Sequence, residues 1–176
     1  GKSTLFTLLN CLLGSALCSF HDNLDSYSCR FNFTNHSKLV HWVDDITSAS
    51  QDETKKLFPK TTCKIQKYEA KGERKIDLPE HSDLFITAND ECPLHTHPGD
   101  RRQCIIEASE LHIQDRKFFT KVHDDFENLD VIKAWFEFLK HRDIKEWHPS
   151  IDPPTDAKAK TIQSCMVKSH IFMNQF

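Results

Sequence analysis

Apolar positions along the chain follow two periods, and the switches between them divide it into elements. Leu5, Leu8, Leu9, Leu12 and Leu13 recur at helical spacing and predict a first helix from about Ser3 to about Cys18. A polar stretch, "HDNLDS", leads into "YSCRFNFT", which reads as extended. In "SKLVHWVDDITSA" an apolar run stops abruptly at Asp44 and Asp45, the pattern of a buried strand that delivers carboxylates at its C-terminal end. "QDETKKLF" predicts a short helix.

Further along, the strand-like segments "CKIQKYEA" and "RKIDL" flank Lys71, Gly72 and Glu73 and predict a hairpin with a basic tip. "SDLFITAND" repeats the design of a buried strand ending in polar residues, and "QCIIEAS" reads as one more strand. The period then turns helical, with Leu129, Ile132, Trp135, Phe136 and Leu139 on one face. "HPSIDPPTD" breaks the chain before a last helix that starts near Thr155, which can cap it. The expected architecture is an α/β core over residues 1–110 followed by a helical segment over 111–176. No internal repeat or low-complexity tract interrupts it.

A length of 176 residues supports one substantial core. The net charge of −3 with 28% charged residues gives no overall basicity, so any polyanion contact must come from a local patch or from assembly. No apolar run approaches the roughly 18 residues of a membrane span, so no membrane is expected among the partners. The seven cysteines, at 11, 18, 29, 63, 92, 104 and 165, are odd in number, scattered and without a C-x-x-C pair. They suit a reducing, intracellular setting better than a disulfide scaffold, with nucleus and cytoplasm equally open. The same cysteines argue against reading Lys2 and "LFTLLNCLLGSAL" as a secretory signal.

Four places carry candidate chemistry. "GKST" matches the end of a phosphate-binding loop, G-x-x-x-x-G-K-S/T, in which Gly1, Lys2, Ser3 and Thr4 would meet the nucleotide phosphates at a helix N-terminus. Lys2 would neutralise the phosphates and Ser3 would ligate Mg²⁺; an ordinary helix start is the plainer reading. Asp44 is placed to hold Mg²⁺ and Asp45 to deprotonate the attacking water, against the alternative of a solvated turn. Asn89, at the end of "LFITAN", suits a hydrogen bond to the γ-phosphate or the lytic water, or else a cap. Arg101 and Arg102, in "PGDRRQCII", suit bidentate phosphate contact, or else solvation. Cys92, His95 and His97 have zinc-like chemistry, but a fourth ligand is not evident and a loop explains them without metal.

Taken in order, Gly-Lys-Ser before a helix, a strand ending in Asp-Asp, a basic hairpin, a strand ending in Thr-x-Asn and then Asp-Arg-Arg resemble the superfamily 3 helicases. "RFN", "FITAND", "GDRRQCIIE" and the tail "FLKHRDIKEWHPSIDPPTDAK" are similar to the helicase domain of viral and phage primase-helicases, including the poxvirus and giant-virus type, over essentially the whole chain. The resemblance implies an AAA+-like P-loop NTPase core, with a parallel-type central sheet, flanking helices and a β-hairpin, followed by a helical C-terminal part. It implies ATP and Mg²⁺ as cofactors, Lys2 and Ser3 as the Walker A pair, Asp44 and Asp45 as the Walker B acids, Asn89 as the sensor and Arg101, or failing it Arg102, as the arginine finger.

By the same resemblance the hairpin would present Lys71, with Arg74 and Lys75 behind it, to single-stranded and forked DNA. Subunits would assemble head to tail into a homo-hexamer, and a primase or polymerase domain would lie upstream. The first five positions of the loop and the strand before it would precede Gly1, so the chain reads as cut within the motif. The expected function is an ATP-dependent DNA helicase or translocase domain of a viral or mobile-element replication protein. The alternative is a non-catalytic remnant of an integrated viral gene that binds DNA or sister subunits only. A small-molecule kinase would not explain the hairpin followed by Asn89 and Arg101.

Overall fold

The computed structural model describes residues 1–148, 151 and 153–173, with side chains as far as Met166. Helix α1 spans Lys2–Leu13, β1 Cys18–His21, α2 Leu24–Ser28, β2 Val40–Ile46, α3 Gln51–Thr62, β3 Ile65–Tyr68, β4 Ile76–Pro79, β5 Asp83–Ala88, α4 Arg116–Glu127, α5 Leu129–Lys140 and α6 Asp156–Met173.

Strands β1, β2 and β5 form a parallel sheet in the order β1-β2-β5. Its register sets Phe20, Trp42 and Phe85 side by side on one face. Phe6 of α1 covers that row, 5.2 Å from Phe20 and 5.7 Å from Trp42, while Trp42 stacks on Phe85 at 5.8 Å. The opposite face carries Val43 and Ile86, which pack with Tyr27 of α2 and Leu57 of α3. Val43 is fully buried, a burial that contributes about 1.5–3 kcal/mol. The sheet is thus sandwiched between α1 and the pair α2 and α3, which explains why β2 reads as an unbroken apolar run.

Several elements depart from the sequence expectation. The first helix stops at Leu13, not near Cys18, because Gly14 adopts φ +86° and its N–H closes on the Asn10 carbonyl. The chain then turns through residues 15–17 into β1, a strand too short to announce itself. "YSCRFNFT" is not extended: it holds the end of α2 and a 3₁₀ turn at Phe33–Asn35. Asparagine side chains stabilise that path, Asn23 accepting from the Ser26 amide at 2.8 Å and Asn35 donating to the Tyr27 carbonyl at 3.2 Å. The predicted short helix runs on to Thr62, opened by a capping box of Ser50 and Glu53.

The hairpin is present as β3 and β4, antiparallel, with Tyr68 opposite Ile76. At its tip Gly72 takes φ +84° and the Glu73 amide donates to the Ala70 carbonyl at 3.1 Å, a turn that needs glycine at its third position. "QCIIEAS" is not a strand. Ile106 is 80% exposed, and the segment instead runs beside the start of α6, where Thr155 donates to the Ile105 carbonyl at 2.6 Å and Lys158 to the Gln103 carbonyl at 2.8 Å.

Of the apolar face of α5 only Ile132 is buried, and α5 touches α1 and α4. The break expected at "HPSIDPPTD" falls partly on residues 149, 150 and 152, outside the described residues. Thr155 caps α6 by accepting from the Lys158 amide at 3.1 Å. The cysteines correct the expectation of thiols throughout: Cys92 and Cys165, with Cα atoms 5.6 Å apart, are joined by a disulfide that ties α6 to the loop after β5. Among the described residues no helix is long and apolar enough to cross a membrane.

Candidate nucleotide-binding site

Helix α1 begins where β2 and β5 end, and this topology gathers the first residues of the chain with the polar ends of both strands. Parallel strands direct all their C-terminal ends to one edge, the usual position of ligand sites in open α/β sheets. Lys2 reaches across that edge, and its ammonium donates to the Ala88 carbonyl and to Asn89 Oδ1. Both acceptors are neutral, so they orient the cation without cancelling its charge. Ser3 Oγ donates toward Asp44 at 3.2 Å from Oδ1 and 3.3 Å from Oδ2.

The two acids sit on a β-bulge. Val43 pairs with Ile86 and Ile46 with Ala88, so Asp44 and Asp45 together face the single residue Thr87. Asp45 takes φ +45°, a left-handed conformation that costs a non-glycine residue energy and recurs at functional sites. Thr87 closes the bulge, its Oγ1 accepting from the Asp45 amide at 2.8 Å and donating to Asp44 Oδ1 at 2.7 Å. Trp42 Nε1 donates to the same Asp44 oxygen at 3.2 Å. Asn89 Nδ2 donates to Asp45 Oδ1 at 2.6 Å.

Burial by itself would raise the Asp44 pKa. The hydrogen bonds from Thr87, Trp42 and Ser3, together with the charge of Lys2, more than offset it and hold the carboxyl below its ordinary value. Its Oδ1 is occupied by protein donors, whereas among the described residues Oδ2 meets only the Ser3 hydroxyl. A hydroxyl beside an ionised carboxylate fits Mg²⁺, which takes one or two protein oxygens and fills its shell with water and phosphate. The same pair is too small to hold a metal unaided, and among the described residues no group of three or more His, Cys, Asp or Glu side chains is arranged to do so.

Lys2, Ser3, Asp44, Asp45 and Asn89 are therefore brought together. Gly1 precedes α1 as its N-cap and Thr4 donates its amide to the Gly1 carbonyl at 3.1 Å, closing the first turn. Arg101 is exposed, makes no hydrogen bond or ion pair among the described residues, and lines a cavity of about 400 Å³ with Asp100, Thr155 and Lys158. Arg102 lies over the Phe58 ring at 5.2 Å. Lys71 and Arg74 stand exposed on the hairpin, while Lys75 pairs with Glu69 at 3.4 Å. Cys92 is committed to its disulfide, which removes it from the zinc set suggested with His95 and His97. Thr87 and Trp42 were not foreseen as site residues; Thr87 was visible only as the threonine of Thr-x-Asn, and nothing in the sequence singles out Trp42.

The fold has solved counterparts. The A-form apo structure of the NrS-1 C-terminal region superposes with a TM-score of 0.78 at 15% identity, over 94% of this chain and 40% of that one. The apo structure of the NrS-1 C-terminal region, residues 305–718, gives 0.76 at 17% identity with the same coverage. These likenesses establish a shared α/β fold, and the chain spans about two fifths of the length of the structures it matches. Residues 1–102 match the family of unknown function DUF5906, and the chain belongs to that family. No curated protein matches it.

Proposed function

We propose that this chain is the ATP-hydrolysing core of a DNA helicase or translocase from a viral or mobile-element replication protein, with an AAA+-like P-loop site. The observation that carries the reading is the meeting of Lys2 and Ser3 with Asp44, Asp45 and Asn89 at the C-terminal edge of a parallel sheet. That set contains each kind of group phosphoryl transfer requires: a cation for phosphate oxygens, a hard-metal ligand pair, a base and a hydrogen-bonding orienter.

In this reading Lys2 exchanges its neutral acceptors at Ala88 and Asn89 for phosphate oxygens, to which its charge is better matched. Ser3 and Asp44 would hold Mg²⁺, which would supply positive charge to offset that of the phosphates. Asp45 takes a proton from the attacking water as its oxygen bonds to the γ-phosphorus and the bond to the β,γ-bridging oxygen breaks, releasing ADP and phosphate. Asn89 fixes the Asp45 carboxylate for that step. Movement on single-stranded or forked DNA, and a head-to-tail hexameric ring, extend the proposal to the whole assembly.

The test is Mg²⁺-dependent ATPase on a chain carrying the complete phosphate-binding loop. Lys2→Ala and Asp45→Asn should each lower turnover by ~100-fold or more, because each removes transition-state charge stabilisation or water activation. Nucleotide binding should survive Asp45→Asn better than Lys2→Ala. Undiminished hydrolysis in either variant removes that residue from the catalytic set, and DNA binding with no hydrolysis in the parent favours the non-catalytic remnant.

A further inference from the structure

The segment that departs most from its sequence expectation, residues 30–36, is locked onto the hairpin. Arg30 grips Glu69 with two nitrogens, Nη2 at 2.8 Å and Nε at 3.0 Å from Oε1. Asn32, buried at 7% exposure, uses its amide as a strand would, donating to the Lys67 carbonyl at 3.2 Å and accepting from the Glu69 amide at 3.0 Å. His36 meets Tyr68 edge to face at 6.1 Å. Three contacts on three successive parts of the loop thus fix its position relative to β3.

What that anchorage holds in place is apolar and exposed. Phe31 and Phe33 flank the buried Asn32 and remain 46% and 36% accessible. The Arg30 guanidinium lies 5.4 Å from the Phe31 ring centroid, and Phe33 stacks on His36 at 4.8 Å. Unsupported aromatics beside a loop would ordinarily turn inward; here the side chain that turns inward is the asparagine.

The charge around them is basic although the chain is acidic. Residues 60–75 contain Lys60, Lys64, Lys67, Lys71, Arg74 and Lys75 against only Glu69 and Glu73, and Glu69 is already paired with Arg30 and Lys75. Lys67, Lys71 and Arg74 are exposed and form no ion pair among the described residues. Pre-placed aromatic faces beside unpaired cations match what a single strand offers, bases to stack and phosphates to neutralise.

Resting on the reading of this chain as a DNA translocase, we infer that Phe31, supported by Arg30, is a base-stacking shelf for single-stranded DNA, working with the phosphate-contacting cations of the hairpin. Each base stacked on an aromatic is worth about 1–3 kcal/mol. A phosphate contact by contrast adds affinity regardless of bases and is read in the salt slope.

The test is fluorescence anisotropy with a labelled oligo-dT strand and with an abasic strand of the same length. Phe31→Ala should weaken oligo-dT binding by roughly 5- to 150-fold and leave the abasic strand unchanged, and Phe31→Trp should restore it. Lys71→Ala should weaken both strands alike and flatten the salt dependence by about one counterion. Weakening by Lys71→Ala with none by Phe31→Ala overturns the shelf and leaves the DNA reading standing. Equal loss on both strands in Phe31→Ala overturns stacking, and so does unchanged oligo-dT affinity accompanied by a changed oligomeric mass, which makes Phe31 a protein contact. No binding of either strand by the parent protein removes the DNA reading and the shelf together.

Discussion

The side-chain amide of Asn89 donates to Asp45 Oδ1 at 2.6 Å, joining the C-terminal edges of two neighbouring parallel strands, β2 and β5. Asp45 stands in a left-handed conformation on a bulge, and its side chain has no other hydrogen bond among the described residues. A base must be held within a narrow range of angles to act, so the amide is expected to position Asp45. Asn89→Ala should lower ATP turnover by ~10–100-fold while changing nucleotide affinity far less, and Asn89→Asp should be worse, because a second carboxylate would repel the first. Equal turnover in Asn89→Ala and parent would separate Asn89 from the chemistry.

The bulge itself makes a second expectation. Thr87 Oγ1 both accepts from the Asp45 amide and donates to Asp44, so one hydroxyl sets the spacing of two acids. Thr87→Val keeps the shape and loses both bonds. It should raise the Mg²⁺ concentration needed for half-maximal activity roughly tenfold or more, since the bond lost to the charged Asp44 carboxylate is worth about 1.5–3 kcal/mol. Thr87→Ser should restore the parent value. A Mg²⁺ requirement identical in Thr87→Val and parent would exclude this role.

The convergence of Lys2, Asp44 and Asn89 was legible because each lies at the end of a periodic segment, and a parallel sheet brings such ends to one edge. The bulge was not, since hydrophobic alternation locates a strand and is silent about one extra residue within it. β1 escaped because four residues, with serine and histidine among them, carry too little pattern. "QCIIEAS" misled in the other direction: its β-branched pair fits a strand, but among the described residues no neighbouring strand receives it, and Ile106 stays exposed. The bridge between Cys92 and Cys165 joins residues 73 apart, which no local spacing could signal.

Burial, reinforced by the neighbouring His21, pushes the His41 pKa down to about 4. His21 Nε2 lies 3.2 Å from His41 Nδ1, with Tyr27 packed on both rings, so the fold accommodates His41 only as the neutral imidazole. The unfolded chain binds the proton more readily, and stability is therefore complete above pH 6.5 and declines as pH falls toward 4. His41 should account for about 2 kcal/mol of loss between pH 7 and pH 5. Urea midpoints of the parent should fall across that window, and His41→Gln should flatten the fall by that amount. Glu80 and Lys38 also act on this site, so the difference between the two proteins carries the result. Parallel pH profiles would assign the loss elsewhere.

The disulfide makes α6 sensitive to reductant. Five cysteines remain as thiols beside the bridged pair, so thiol titration of the denatured protein should give five groups before reduction and seven after it. Opening a bridge of this span should cost about 2–4 kcal/mol. The melting temperature of the parent should drop in dithiothreitol, whereas Cys165→Ser should melt at the lower temperature with or without it. Seven thiols before reduction, with no shift on adding reductant, would mean that the bridge does not form in solution.

Arg102 is engaged by the Phe58 ring, whereas Arg101 is exposed and bonds to nothing among the described residues of its own chain. An arginine so placed is suited to a neighbour's nucleotide, and a head-to-tail contact that closes into a ring would deliver it there. Mixing Arg101→Ala with Asp45→Asn, both on chains with the complete phosphate-binding loop, distinguishes the two arrangements. In a random equal mixture roughly a quarter of head-to-tail interfaces would pair an intact Asp45 with an intact Arg101, and part of the ATPase should return. Action within one subunit would leave every site broken, and the mixture would be as inactive as its components. No recovery, with subunit exchange verified separately, would refute action in trans. An active Arg101→Ala protein, with recovery seen instead for Arg102→Ala, would move the finger one residue along.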